Sequence, residues 1–184
     1  MANERIILGI DPGTTIMGFG LIKIVNKKME FLQLNELQLS KYDNHYQKLK
    51  IIFERTIELI DSHHPDEIAI EAPFFGKNVQ SMLKLGRAQG VAMAAGLSRD
   101  IPITEYEPKK IKMAITGNGN ASKEHVAKML QQLLGLKELP KNLDSTDGLA
   151  AAVCHFFNSG KVIGATSYTG WDAFVKQNEE RIKK

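Results

Sequence analysis

Acidic residues stand at three points where the predicted chain leaves its apolar core. Asp11 ends a first apolar strand, Glu71 ends a later one, and Asp144 with Asp147 opens a helix. A carboxylate at the end of an apolar strand is costly to desolvate unless it is paired, hydrogen-bonded or bound to a cation. Hard oxygen ligands with few histidines nearby favour Mg²⁺ or Mn²⁺ over zinc, and two such ions can promote phosphodiester hydrolysis. The pattern therefore indicates a metal site with nuclease chemistry.

The same acidic residues also fit local structural roles. Asp11-Pro12-Gly13 has the composition of a β-turn. Asp144 and Asp147 fit the N-cap and the acidic third position of a helix. From these residues alone, the metal site and the local roles both remain open.

Composition limits the protein class. The chain has 184 residues and is 43% hydrophobic, which suits one well-packed domain and is short for two. Lys and Arg number 24 against 21 acidic residues, so nucleic-acid affinity must come from clustered charges rather than from the net charge of +3. A lone cysteine, Cys154, excludes an internal disulfide and is expected to be a buried thiol. No stretch approaches the roughly 18 apolar residues that span a bilayer, so we expect a cytoplasmic protein with no membrane contact.

Hydropathy periodicity predicts an α/β fold with a mixed five-stranded sheet and helices on both faces. The first three strands form an antiparallel meander, and the later strands alternate with helices. A short basic helix, the loop 117–120 and two more helices follow the last strand. The predicted strands are Arg5–Ile10, Met17–Val25, Met29–Leu39, Glu67–Glu71 and Ile103–Tyr106, and the first two helices are Tyr46–His63 and Asn78–Ser98.

The pattern weakens beyond Gly160, which divides the chain into a nuclease domain, 1–158, and a C-terminal tail, 159–184. The tail is expected to end in a short, polar, Lys-rich helix. Its aromatic residues Tyr168, Trp171 and Phe174 recur every three positions. Such a stripe can dock on the same domain or on a partner, and we favour the same domain.

Two aromatic residues follow Glu71 in a segment that proline and glycine mark as an exposed loop. Phe74 and Phe75 lie there, next to Lys77. An aromatic ring beside an active site can stack on an unpaired base, which contributes about 1–3 kcal/mol per base. The alternative is that these rings fold back into the core.

Basic residues cluster in the second half of the domain. Lys109, Lys110 and Lys112 lie together, and Lys123 begins the helix after a Gly-Asn loop. Phosphates could meet these ammonium groups together with the helix N-terminus. A short lysine run is also typical of a solvated face. Further candidates for contacts with DNA are Lys77, Lys84 and Arg87.

The predicted helix Asn78–Ser98 is rich in small residues. Its glycines, including Gly86 and Gly90, lower helix propensity unless close packing offsets the loss. A tight contact is therefore expected, either with the helix's own sheet or with a second copy of the chain.

Taken together, the order and spacing of these motifs resemble the RuvC-type Holliday-junction resolvases over roughly residues 5 to 158. Each motif alone is common, and the resemblance rests on the combined pattern. The matching motifs are Gly9-Ile10-Asp11-Pro12-Gly13, Ala69-Ile70-Glu71, Lys77-Asn78, Leu83-Lys84-Leu85-Gly86, Gly90-Val91-Ala92 and Asp144-Ser145-Thr146-Asp147-Gly148-Leu149-Ala150.

The resemblance implies an RNase H-like fold, a homodimer, and a site with two Mg²⁺ ions for which Mn²⁺ can substitute. It implies paired, symmetric nicking of four-way junction DNA, with 5′-phosphate and 3′-hydroxyl ends, and a branch-migration helicase partner of the RuvA–RuvB type. The family's base-stacking aromatic aligns with Phe74, and its basic positions align with Lys112 and Lys123. Its four metal-binding carboxylates fall on Asp11, Glu71, Asp144 and Asp147.

Other classes share parts of this pattern. The segment from Gly9 to Thr15 also resembles the first phosphate loop of the actin, heat-shock chaperone and sugar-kinase ATPases. Those proteins need two such domains, which 184 residues cannot supply. A shorter RNA-processing nuclease lacks the small-residue helix and the Phe74 loop, and a non-catalytic junction binder would have lost a carboxylate.

Overall fold

The computed structural model describes residues 4–73, 78–140 and 142–159. The predicted strands and the two long helices agree with the structure to within two residues at each end. The division into a domain and a tail stays a prediction, because 160–184 lies outside the described residues. The elements are β1 Glu4–Asp11, β2 Ile16–Val25, β3 Lys28–Gln38, α1 His45–His63, β4 Glu67–Glu71, α2 Val79–Leu97, β5 Ile103–Tyr106, α3 Pro108–Thr116, α4 Lys123–Leu134 and α5 Ser145–Ser159.

The sheet is mixed, as predicted, with the strand order β3-β2-β1-β4-β5. The first three strands form the antiparallel meander, and β4 and β5 add in parallel to β1. Asn26 and Lys27 have positive φ angles of 51° and 65°, which suits a tight two-residue hairpin. Ile10 is paired with Ile70 in parallel. Asp11 and Glu71 therefore leave the sheet side by side, at the same edge.

Helices cover both faces of the sheet, also as predicted. Alternate residues of each strand point to opposite faces, so Ile7 joins the core beneath α3, α4 and α5 while Leu8 joins the core beneath α1 and α2. Cys154 is buried in the first of these cores, in agreement with its expected role as a structural thiol.

Helix α5 lies against the sheet with no side chain between the two backbones at its first turns. A Cβ added to Gly148 would come within 2.6 Å of the Gly18 carbonyl oxygen, and one added to Gly9 would come within 2.0 Å of the Gly148 oxygen. A Cβ on Gly20 would meet the Leu149 backbone at 2.3 Å. These contacts hold the N-terminal turn of α5 close to the ends of β1 and β2.

The small residues of α2 serve two different surfaces. A Cβ on Gly96 would meet Ile68 at 2.6 Å, so this end of the helix packs tightly on the sheet. At Gly86 and Gly90 a Cβ would meet nothing within 4 Å among the described residues. Of the two expected contacts, the one with the helix's own sheet is therefore present at Gly96, and the one with a second copy stays a prediction.

We predict that Gly148→Ala destabilises the protein even though alanine favours helices, because the new methyl group must displace sheet backbone. The expected loss is roughly 1–3 kcal/mol in the free energy of unfolding, measured by urea denaturation. Gln132→Ala, at an exposed position of α4, is the control and should change the free energy of unfolding by less than about 0.5 kcal/mol. Equal effects of the two substitutions would contradict the close contact.

Candidate active site

Three of the four predicted carboxylates line one cleft of about 220 Å³ at the carboxyl edge of the sheet. Asp11 and Glu71 come from the ends of β1 and β4, and Asp147 comes from the first turn of α5. Lys112 and Lys123 line the same cleft. The fourth carboxylate, on Asp144, borders a neighbouring hollow that Asp11 also lines. The rest of the cleft wall consists of Pro108, Ile111, Val126 and Ala150.

Lys123 connects the two aspartates of α5. Its Nζ donates to Asp144 Oδ1 at 2.6 Å and to Asp147 Oδ2 at 2.7 Å. The Asp147 side chain is 18% exposed and that of Asp144 is 46% exposed, so Asp147 lies deeper in the site. Over the described ranges, no three acidic, histidine or cysteine side chains are arranged to enclose a metal ion. A lysine ammonium lies between two of the candidate ligands instead.

The turn into α5 does not use the Asp144 carboxylate as a cap. Asn142 Oδ1 accepts from the Asp144 backbone N–H at 3.2 Å. The hydroxyls of Ser145 and Thr146 donate to the carbonyls of Asn142 and Leu143. The Asp144 side chain is thus turned toward Lys123 rather than toward its own helix. The sequence reasoning did not anticipate these neighbours, although Asn and Ser are common in such turns.

Burial, and to a lesser extent repulsion among the carboxylates, raises the pKa values of Asp11 and Glu71 above those of the same groups in water. Desolvation raises the pKa of Asp11 well above its ordinary value, and the charges of Glu71 and Asp147 raise it further. Desolvation, followed by repulsion from Asp147, raises the pKa of Glu71 to about 7, against the opposing effect of Lys123 and Lys112. Ionising all of these carboxylates at once would leave the cleft with more negative charge than Lys112 and Lys123 can neutralise.

The pKa of Asp147 is also raised, chiefly by desolvation, although its hydrogen bond with Lys123 acts in the opposite direction. Burial lowers the pKa of Lys123, but the hydrogen bonds to Asp144 and Asp147 outweigh it and raise that pKa. Lys123 consequently stays charged and supplies the main positive charge in the cleft.

Gln89 is a second-layer residue that sequence reasoning missed. It is a buried polar residue on the sheet side of α2, and its Nε2 lies 3.4 Å from the Glu71 carbonyl oxygen and 2.8 Å from Glu105 Oε2. The Ala72 N–H donates to the Tyr106 carbonyl at 2.9 Å. These bonds fix the backbone at the end of β4. In the sequence, the only sign of this role is that Gln89 is a polar amide between the small residues Ala88 and Gly90.

The three lysines of α3 that were predicted to contact DNA do not all lie at the carboxylate cleft. Lys112 reaches the carboxylate cleft from α3. Lys110 lies on another side of α3, with its Nζ 5.0 Å from the centre of the Tyr106 ring, and lines a different hollow with Phe157. Lys109 is exposed near Gly119.

The other residues predicted to contact DNA fall into two groups. Lys84 and Arg87 lie near His45, whose pKa is lowered first by burial and then by these two charges. Phe74, Phe75 and Lys77 lie outside the described residues.

Glu71 should make the stability of the metal-free protein depend on pH. Because its folded pKa of about 7 exceeds the ordinary 4.5, its ionisation destabilises the fold as pH rises between these values. With a chelator present, we expect Glu71→Gln to be about as stable as the natural chain at pH 4 and roughly 1–3 kcal/mol more stable at pH 8.

Thermal and urea unfolding across this pH range would measure the effect of Glu71→Gln. Glu54→Gln, on an exposed part of α1, is the control, because it makes the same chemical change away from the cleft. A constant offset at every pH would mean that the pKa of Glu71 is not raised in the folded protein.

Comparison with known proteins agrees with the resemblance seen in the sequence. The family model described as "Crossover junction endodeoxyribonuclease RuvC" matches residues 7–155. A protein of that name from Christiangramia forsetii is 80% identical over 100% of this chain and 95% of its own length. One from Bacteroides fragilis is 60% identical over 98% of this chain and 97% of its own length.

Solved structures give the same result. "T. thermophilus RuvC in complex with Holliday junction substrate" superposes with a TM-score of 0.78 and 31% identity, covering 84% of this chain and 94% of that chain. The expected RNase H-like fold is confirmed, and the matches do not favour the nucleotide-binding or RNA-processing alternatives. The chain belongs to the RuvC family of crossover junction endodeoxyribonucleases.

Proposed function

We propose that the carboxylate cleft is the active centre of an endonuclease that resolves four-way DNA junctions in homologous recombination and repair. Two symmetric nicks in strands of like polarity would leave 5′-phosphate and 3′-hydroxyl ends that can be ligated. The observation that carries this proposal is the convergence of Asp11, Glu71 and Asp147 with two lysines in one cleft. Carboxylates for metal ions and ammonium groups for phosphates are the two components that phosphodiester hydrolysis needs.

The donor set fits two Mg²⁺ ions, with Mn²⁺ as a substitute, held by Asp11, Glu71, Asp144 and Asp147. All four groups offer hard oxygen atoms. Burial first, and the charges of neighbouring carboxylates second, raise the pKa values of Asp11 and Glu71, and a bound divalent cation would favour their ionised forms. When bound, such ions supply activated water and neutralise the charge that develops on the leaving oxygen.

The lysines bind and orient the phosphate backbone in this proposal. Lys112 faces the cleft beside Glu71, and Lys123 can exchange its carboxylate partners for a phosphate oxygen as the site loads. Phe74 would stack on an unpaired base next to the scissile phosphate, with Phe75 and Lys77 assisting. Lys109 and Lys110 would contact DNA farther from the cleft.

A homodimer would place two such clefts under twofold symmetry, which matches a four-way junction. One side of α2 provides a surface for this contact. Val79, Leu83 and Leu97 are 65%, 50% and 59% exposed, and they lie on the same side as the open positions Gly86 and Gly90. Apolar side chains flanking open glycines allow a second helix to approach closely.

The proposal extends to a branch-migration helicase complex of the RuvA–RuvB type as a partner and to a cytoplasmic location. Across the described ranges, no helix combines the length and apolar character needed to traverse a bilayer.

Asp11→Asn should abolish nicking while leaving junction binding nearly intact, because it removes a proposed metal ligand and leaves the basic surface unchanged. We expect cleavage of a labelled mobile four-way junction to fall by roughly a hundredfold or more, with Kd within about threefold of the natural value. Linear duplex and forked DNA, each with Mg²⁺ or chelator, complete the assay.

Asp61→Asn is the matched control for the cleavage assay, since Asp61 pairs with Arg99 on the surface. Its cleavage rate should equal that of the natural chain. Cleavage by Asp11→Asn at the natural rate would disprove the assignment of Asp11.

Leu83→Glu should weaken the dimer, because it would bury an unpaired charge at the centre of the proposed interface. Light scattering at micromolar concentration should show a shift from dimer to monomer. Met113→Glu on α3 is the control, since Met113 is 53% exposed and Leu83 is 50% exposed. A Leu83→Glu dimer of unchanged stability, or a natural chain that is already monomeric, would reject this interface.

A further inference from the structure

A second cleft, of about 780 Å³, lies between β3 and the segment that follows α4. Met29, Phe31 and Leu34 line it from β3, and residues 134–140 line it from the other side. A β-bulge in β3 places these three apolar side chains on one face of the strand. Phe31 pairs with Ile22 but Gln33 pairs with Leu21, so the extra residue brings Leu34 to the same face as Met29 and Phe31.

The cleft is an apolar surface at the edge of the sheet. Phe31 is 38% exposed within it. β3 is the outermost strand, so within the described chain no further strand covers this edge. A mainly apolar hollow beside an unpaired strand edge is a surface that a further segment of chain can cover.

Helix α5 ends close to this cleft. Ser159 Oγ accepts from the Arg5 guanidinium at 2.7 Å. Arg5 lies opposite Ile24 on β2, and Ile24 lies opposite Met29 on β3. Neighbouring strands are about 4.8 Å apart, so the end of α5 lies beside a strand only about 10 Å from the strand that forms the cleft.

The chain that continues from Ser159 has the composition to fill the cleft. Residues 160–184 include Tyr168, Trp171 and Phe174, and Lys and Arg outnumber acidic residues among them. The cleft lining contains Glu30 and Glu138 against one lysine. The extended chain from Ser159 to Trp171 spans roughly 40 Å, several times the distance required.

We propose that residues 160–184 dock in this cleft of their own chain, with the aromatic residues around Trp171 covering the apolar surface of β3. The segment would then fasten 134–140 to the edge of the sheet. That segment leads to Asn142, whose Nδ2 donates to Glu36 Oε2 on β3 at 3.0 Å and whose Oδ1 accepts from the Asp144 N–H. The tail would thus help to position segment 134–140 and the turn that leads into α5.

Trp171 is the only tryptophan of the chain, so its fluorescence reports directly on docking. In the full-length protein we expect blue-shifted emission and protection from acrylamide. Phe31→Asp should shift the emission to the red and remove the protection. Leu32→Asp is the matched control, since Leu32 is 39% exposed, adjacent in sequence and absent from the cleft lining, and it should leave both signals unchanged.

Circular dichroism of both variants would verify that they remain folded. Emission in the natural protein equal to that of the urea-unfolded chain would overturn the proposal. Equal responses of a folded Phe31→Asp and a folded Leu32→Asp would overturn it as well, since the cleft would then not be the site.

Co-expression of Phe31→Asp with Trp171→Phe distinguishes the chain's own cleft from that of a second copy. In this mixture only the chain with the damaged cleft carries tryptophan. Red-shifted, quenchable emission supports docking within one chain. Protected emission would mean that the tail occupies another copy's cleft, which contradicts the proposal. Neither result depends on nuclease activity, so a failure here is separable from a failure of the proposed function.

Discussion

The geometry of the carboxylate cleft depends on the contact between α5 and the glycines of β1 and β2. Because Gly148 lies directly against the Gly18 backbone, the first turn of α5 reaches the strand ends without an intervening layer of side chains. Asp147 lies in that turn, Asp144 immediately precedes it, and Asp11 ends the strand beneath it. A larger residue at this contact would lift the helix and separate carboxylates that come from distant parts of the sequence.

This closeness has an electrostatic cost. Several carboxylates share a partly desolvated space, which raises the pKa of Asp11 and of Glu71. The nearest compensation comes from α4, whose first residue, Lys123, bonds both aspartates of α5. The Ser122 side chain caps this helix by accepting from the His125 N–H. This cap helps to fix the start of α4 and therefore the position of the Lys123 side chain. In the proposed function, metal binding, phosphate binding and protein stability would all be coupled through this one charge balance.

The sequence was sufficient to predict the strands and the two strand ends that carry Asp11 and Glu71, because alternating hydropathy is a local signal. It was not sufficient to predict the bonds of Lys123, since these depend on how α4 packs relative to α5. Gly9, Gly18 and Gly20 were not identified as packing positions, because their close contacts are with a helix more than a hundred residues away. The placement of Phe74, Phe75 and Lys77 remains a prediction.

The glycines of α2 were expected to mark a tight contact, and the structure divides them into two groups. Gly96 is compensated by its packing on Ile68, whereas Gly86 and Gly90 face open space in the described chain. A glycine inside a helix costs up to about 1 kcal/mol relative to alanine. Nothing in the described part of one chain offsets that cost at Gly86 and Gly90. Close approach of a second surface would offset it, and this is the physical argument that connects α2 to a twofold-symmetric assembly.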